Sequence, residues 1–181
     1  MKLVIASDIH GDLDSATRLI EAYEASKADK LILLGDILYH GPRNDLPTTY
    51  SPKAVIELLN SIKDEILCVR GNCDTEVDQM VLEFPVLADY AWINVDGISM
   101  LATHGHKYDQ TNPPPIKTGD ILLCGHTHIP LAESFGNGNL YINPGSVSIP
   151  KNGSEKGYIV YENREFLFCT LAGAVFDSYE V

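Results

Sequence analysis

Short apolar runs that stop abruptly recur along the chain. Val4-Ile5-Ala6 gives way to Ser7-Asp8-Ile9-His10, and Leu31-Ile32-Leu33-Leu34 to Gly35-Asp36. Ile66-Leu67-Cys68-Val69 leads into Arg70-Gly71-Asn72-Cys73-Asp74, and Ile121-Leu122-Leu123-Cys124 into Gly125-His126-Thr127-His128. Runs of this length read as buried strands, and open sheets carry their ligands where such strands end. Between them lie helical stripes. Ala16, Leu19, Ile20 and Tyr23 fall at i, i+3, i+4, i+7 on a segment that Asp12 can cap and that ends near Ala25. Val55, Leu58, Leu59 and Ile62 repeat the spacing after Ser51-Pro52, an N-cap followed by a first-turn proline. Tyr39 to Tyr50 is expected to be a loop, because Gly41, Pro42 and Pro47 forbid regular structure. A third strand is expected to end at Arg70. The order β-α-β-α-β over the first 70 residues is that of a parallel sheet with crossover helices.

After Glu83 the pattern changes. Tyr90–Val95 and Ile98–Thr103 flank Asp96-Gly97, a hairpin signal. Later strands are expected at Asp120–Cys124, Leu131–Phe135, Leu140–Asn143, Tyr158–Tyr161 and Glu165–Thr170. They imply a second, antiparallel or mixed sheet packed face to face on the first, with helices outside. No linker or repeat interrupts the chain, and Pro113-Pro114-Pro115 reads as a stiff surface loop. Residues 1–181 are therefore expected to form one domain of α/β (α+β) class.

Composition narrows this picture. A net charge of −12 argues against nonspecific nucleic-acid binding and against an anionic membrane surface. No run approaches a membrane span, and the N-terminal apolar run is too short for a signal segment. Cys68, Cys73, Cys124 and Cys169 form no CxxC pair, so buried free thiols in a cytoplasmic protein are expected rather than disulfides.

The chemistry gathers at the ends of the runs. In an extended segment Asp8 and His10, at i and i+2, project to the same side and could reach one cation, although an acid here also suits helix capping. Asp36 alone reads equally as a loop acid, and Asn72 as turn chemistry. The histidines change that balance. Of six in the chain, four form two i, i+2 pairs, His104/His106 and His126/His128, each just after an apolar run. Carboxylates, an amide and imidazoles without thiolate suit manganese, iron, zinc or magnesium. About seven such ligands suit two ions sharing a bridge, the apparatus of phosphoester hydrolysis. Asp36 is the expected bridge. Two divalent ions against Asp8 and Asp36 leave a positive excess that would draw a phosphate into an acidic protein.

The ordered blocks Asp8-x-His10, Gly35-Asp36, Gly71-Asn72-x-Asp74, His104-Gly-His106 and Gly125-His126-x-His128 resemble the calcineurin-like metallophosphoesterase superfamily. His40-Gly41-Pro42-Arg43-Asn44, Arg70–Asp74 and Asn143-Pro144-Gly145-Ser146-Val147 look like its small bacterial YfcE-type phosphodiesterases. The resemblance implies a four-layer αββα sandwich. It implies one divalent ion on Asp8, His10, Asp36 and His128, and a second on Asp36, Asn72, His104 and His126. Manganese is the expected metal, with iron, zinc, nickel and magnesium as alternatives. Hydrolysis of a small phosphodiester by a hydroxide activated between the ions would follow. A homo-oligomer, dimer or tetramer, is also in keeping with the family.

Further roles are expected around this centre. Arg43 and Asn72 would steady the phosphate, and His106 would hold substrate or orient the ligands. His40 is read as structural. Cys73 occupies the slot where the superfamily's protein phosphatases carry a histidine, read as general acid and paired with the acid that is Asp74 here. A free thiol titrates near 8.5 and an imidazole near 6.5, so a diester with a good leaving group is favoured over an alkyl monoester. Cys73 also fits as mere filler. Two rivals stand: a phosphomonoesterase or protein phosphatase of the same fold, and a non-catalytic protein-binding scaffold like the retromer subunit. No G-x-S-x-G elbow supports a serine hydrolase.

Overall fold

The computed structural model describes residues 1–181. Its first three strands, β1 (Leu3–Ala6), β2 (Lys30–Leu33) and β3 (Ile66–Cys68), run parallel and side by side. Helices α1 (Leu13–Ser26) and α2 (Pro52–Asn60) make the two crossovers. The stripe Ala16, Leu19, Ile20 and Tyr23 is buried as its spacing requires, together with Val55 and Leu59 of α2. Two local details differ from expectation. Asp12 stands at the N-cap of α1 without capping it, because its carboxylate accepts the Ser15 and Thr49 hydroxyls and the Lys156 ammonium instead. The third strand stops two residues before Arg70, whose N–H turns away to the Ala88 carbonyl.

The hairpin forms as read, with β4 (Ala91–Val95) and β5 (Ile98–Ala102) joined through Asp96 and Gly97 at φ 53° and 77°. With β6 (Ile121–Leu123), β7 (Pro130–Phe135) and β8 (Asn139–Pro144) it builds a mixed five-stranded sheet in the order β4-β5-β6-β8-β7. The last strands do not join it. β9 (Gly157–Glu162) returns to the first sheet and pairs antiparallel with β1, followed by β10 (Glu165–Thr170) and β11 (Val175–Glu180). The reason lies in β1, which is buried on both faces. Its second edge would otherwise leave buried N–H and C=O groups unpaired. β11 carries almost no buried side chain and so has no hydrophobic signature of its own.

Period-2 alternation distributes these strands into layers. Val4, Leu31, Leu33, Cys68 and Val160 face α1 and α2. Leu3, Ile5, Ile32, Met100, Leu123, Ile142, Ile159 and Phe166 meet between the two sheets. Leu101, Leu122 and Tyr141 face outward from the second sheet, where the chain around Ile116 covers them. No helix of the chain is long and apolar enough to cross a membrane. All four cysteines are buried and free.

Candidate metal centre

The carboxyl ends of β1, β2 and β6 converge on one point. Just beyond them Asp8, His10, Asp36, His126 and His128 all take left-handed backbone, at φ 59°, 49°, 56°, 66° and 62°. Such residues persist only where the surroundings over-determine them, and Asp and His tolerate the region better than most. Here the surroundings are specific. Ser146 and Ser148 each donate a hydroxyl to the Asp8 carbonyl at 2.9 Å. The Asp8 and His10 N–H groups bond the Gly35 and Asp36 carbonyls at 3.0 Å. Gly71 carries no side chain because a Cβ there would overlap the Asp36 carboxylate. Gly125 likewise leaves room for Ser7 and Asp8.

The histidines are oriented from behind. Nδ1 of His10, His104 and His128 faces the carbonyls of Tyr39, Leu34 and Ile149 at 2.8, 2.6 and 2.6 Å. A carbonyl can only accept, so each Nδ1 carries a proton and each Nε2 is turned inward, where it can give its lone pair to a cation. Those Nε2 atoms crowd together. His10 Nε2 and His128 Nε2 lie 3.3 Å apart, and 3.5 and 3.2 Å from Asp8 Oδ1. Asp36 Oδ2 lies 3.8 Å from His10 Nε2 and 3.4 Å from His104 Nε2, which is itself 3.1 Å from Asn72 Oδ1. Asp8 Oδ1 is buried without a hydrogen-bond partner. An orphaned carboxylate oxygen facing two imidazole Nε2 atoms has the chemistry of a cation site. The donor groups Asp8/His10/His128 and Asp8/Asp36/His104 are each compact enough to hold one ion.

The electrostatics agree. Burial would raise the Asp8 carboxyl, but His10 and His128 outweigh it and hold it well below the ordinary range. Burial would lower His104, but Asp36 and Asp8 outweigh it and push it up to about 9. Without a metal the cluster therefore keeps a proton where positive charge belongs. A divalent cation must displace that proton, so its affinity is expected to rise with pH up to about 9 and to level off above it. Calorimetric titrations in buffers of different ionisation enthalpy would read the released proton, and a pH-independent affinity would contradict the coupling.

The remaining residues fall into place unevenly. His126 sits half-buried beside His104, ring centroids 5.1 Å apart, and its N–H donates to Asp8 Oδ2 at 3.0 Å. Asn72 turns its oxygen to His104 and its amide N–H to Cys73 Sγ at 3.2 Å. Cys73 lies beside Asp36, and burial followed by that carboxylate raises its thiol to about 12. Asp74, expected to pair with the residue at position 73, turns both carboxylate oxygens to backbone. Its Oδ2 accepts the Asp36 and Gly71 N–H groups at 2.8 and 2.7 Å and its Oδ1 that of Ile37 at 2.9 Å. Those bonds suit a positioning role. His106 lies tilted against His104 and His126, ring centroids 5.4 and 6.2 Å away, and is not among the residues lining the cleft. His40 packs edge-on between Tyr39 and Tyr50.

A cleft of about 430 Å³ opens over Asp36, Asn72, Cys73, His126 and His128. Arg43 lines it, as expected, and so does Lys151, which the sequence reading passed over. Its one signal there was its position shortly after the Asn143–Val147 block. Ser146 in that block and Ser148 just after it, which lock Asp8, carry no sequence signal for that role.

This arrangement of strand ends and facing imidazoles defines a class of protein. Residues 1–165 match the calcineurin-like phosphoesterase superfamily domain, and the chain belongs to that superfamily. Phosphodiesterase YfcE of Escherichia coli K12 is 46% identical over 163 residues, spanning 90% of this chain and 88% of that protein. A solved structure of YfcE, a phosphoesterase from E. coli, superposes with a TM-score of 0.95 at 42% identity, covering 99% and 98% of the two chains. An archaeal phosphodiesterase (TM-score 0.64, 21% identity, 90% and 94% covered) and a zinc complex of Vps29 from Entamoeba histolytica (0.62, 17%, 100% and 98%) share the fold.

Proposed function

We propose that residues 1–181 form one metal-dependent phosphodiesterase domain that hydrolyses small phosphodiesters. The observation that carries the reading is the inward convergence of His10 Nε2, His128 Nε2 and the orphaned Asp8 Oδ1 within 3.5 Å of one another. Asp8, His10, Asp36 and His128 would hold one divalent ion; Asp36, Asn72, His104 and His126 would hold the other. Manganese heads the candidates, since hard oxygen and imidazole donors without thiolate suit it. Bound there, such a pair supplies Lewis acidity and a nucleophile at neutral pH. The likeness to YfcE, itself a phosphodiesterase, supports the choice of diesters. The four free thiols fit a reducing compartment such as the cytoplasm.

The chain's own groups do the rest. Arg43 offers a bidentate fork to the phosphate from the rim of the cleft. The Tyr39, Leu34 and Ile149 carbonyls keep three imidazoles in the ligating tautomer. Cys73, held as a thiol far above neutral pH, is a poor proton donor to a departing oxygen. Substrates whose leaving group needs little help are therefore favoured. Cys73→His is expected to raise turnover of p-nitrophenyl-free alkyl monoesters relative to diesters by about tenfold to a hundredfold, the scale of one general acid. An unchanged ratio would remove Cys73 from the account.

The function itself is tested by counting metals and following bis(p-nitrophenyl) phosphate. About two ions per chain with diester turnover exceeding monoester turnover is the expected result. Two ions without hydrolysis would favour a binding scaffold, and faster monoester turnover a phosphomonoesterase.

A further inference from the structure

The cleft holds more positive charge than one diester can use. A phosphodiester carries a single negative charge. The proposed ion pair already exceeds the charge of Asp8 and Asp36, and Arg43 adds to that excess. Lys151 lies beyond this need, yet it lines the same cleft. Seven of the chain's 13 Lys and Arg side chains, Lys2, Arg18, Lys63, Lys107 and Lys156 among them, face a carboxylate, and of the other six only Arg43 and Lys151 line this cleft. Arg43 and Lys151 face none within 4.0 Å, and Asp36 is the only acid in the cleft lining.

The Lys151 side chain is exposed, but its backbone is fixed in place. Its N–H bonds the His128 carbonyl at 3.2 Å, two residues after Ile149 accepts the His128 ring at 2.6 Å. Its carbonyl accepts the Ser154 N–H and hydroxyl at 3.0 and 2.7 Å. The ammonium is thus carried on a backbone tied to the proposed ligand shell rather than on a free loop. The same lining includes Asn44, Thr127, Asn72 and Arg43, and Pro42 is its one apolar side chain that could receive an apolar arm. Clefts lined with one sign of charge concentrate ligands of the other.

We infer that Lys151, with Arg43, selects a diester in which one arm carries a second anionic group. This rests on the phosphodiesterase reading and deepens it, giving the substrate class as a small diester with an anionic arm. Lys151 is then a specificity-determining residue that touches the arm and leaves the scissile phosphorus to the metal centre.

The test uses three p-nitrophenyl diesters with one leaving group and different arms: ethyl, choline and 2-phosphoethyl. In the Mn-loaded protein KM should be lowest for the anionic arm and highest for the cationic one, each step about threefold to fivefold, as for an exposed ion pair. The spread should shrink with added salt. Lys151→Gln should erase most of the order, whereas Lys53→Gln, the same charge change on α2, should preserve it. Calorimetry supplies a readout free of turnover: ethylene glycol bisphosphate should bind about threefold to fivefold tighter than ethyl phosphate, and Lys151→Gln should level the two. Equal KM values for the three arms in the unmodified protein would overturn the inference while leaving the enzyme reading intact. Failure to cleave any of the three would instead sink that reading.

Discussion

Asp36→Asn is expected to hold less than one of the two proposed cations and to lose roughly a thousandfold or more in kcat, several kcal/mol at about 1.36 kcal/mol per tenfold. The geometry singles this residue out. Its Oδ2 stands between His10 Nε2 at 3.8 Å and His104 Nε2 at 3.4 Å, so it faces one histidine from each of the two proposed ligand sets. An asparagine keeps the shape and, through its oxygen, the bond from the Cys73 N–H. It removes the charge that two divalent ions would share. His10→Ala, by contrast, touches one group only and should leave about one ion per chain. Metal analysis and bis(p-nitrophenyl) phosphate turnover on both variants give the comparison. The fold should survive, because the backbone around Asp36 is pinned by other groups, and circular dichroism would register this. If Asp36→Asn kept both ions while His10→Ala lost both, the bridge would have been assigned to the wrong carboxylate.

How much of this could be read in the sequence depended on whether a feature had a local signature. The β-α-β-α-β half was legible because helical stripes such as Ala16/Leu19/Ile20/Tyr23 have one period and strands another. The hairpin at Asp96-Gly97 was legible from its turn residues. The sheet to which β9 belongs was not. Its side chains from Gly157 to Tyr161 are buried throughout, and a strand buried on both faces reads the same in either sheet. β11 was invisible because backbone pairing with β10 alone makes it a strand. At the site, residue types pointed the right way for a partly different reason. Asp8 and His10 were placed together as alternate residues of an extended strand, but β1 ends at Ala6 and both lie in left-handed backbone beyond it. Their meeting depends on Ser146, Ser148 and Gly35, which are remote in sequence. Lys151 carried no pattern that separates a cleft cation from a solvated one.

Asp74→Ala should be the most destabilising single change near the centre, at about 3–5 kcal/mol, because it strands three buried N–H groups at once. The carboxylate takes Asp36 and Gly71 on one oxygen and Ile37 on the other, stitching the end of β2 to the loop after β3. Asp74→Asn can keep the first pair on its oxygen but must turn an amide N–H toward that of Ile37, and should cost about half as much. Urea denaturation of the metal-free variants would give both values, and a loss under ~0.5 kcal/mol for alanine would refute the clamp. Comparing metal-free with Mn-loaded protein then separates two roles. A residue that only supports the fold would cost the same in both forms. A residue that also aims Asp36 would weaken cation binding by about tenfold to a hundredfold, as partners behind ligating groups do. Linkage converts that into an extra ~1.4–2.7 kcal/mol lost by the loaded protein. The bonds to the N–H groups of both Asp36 and its neighbour Ile37 favour the second outcome, since any slack there moves the oxygen shared by His10 and His104.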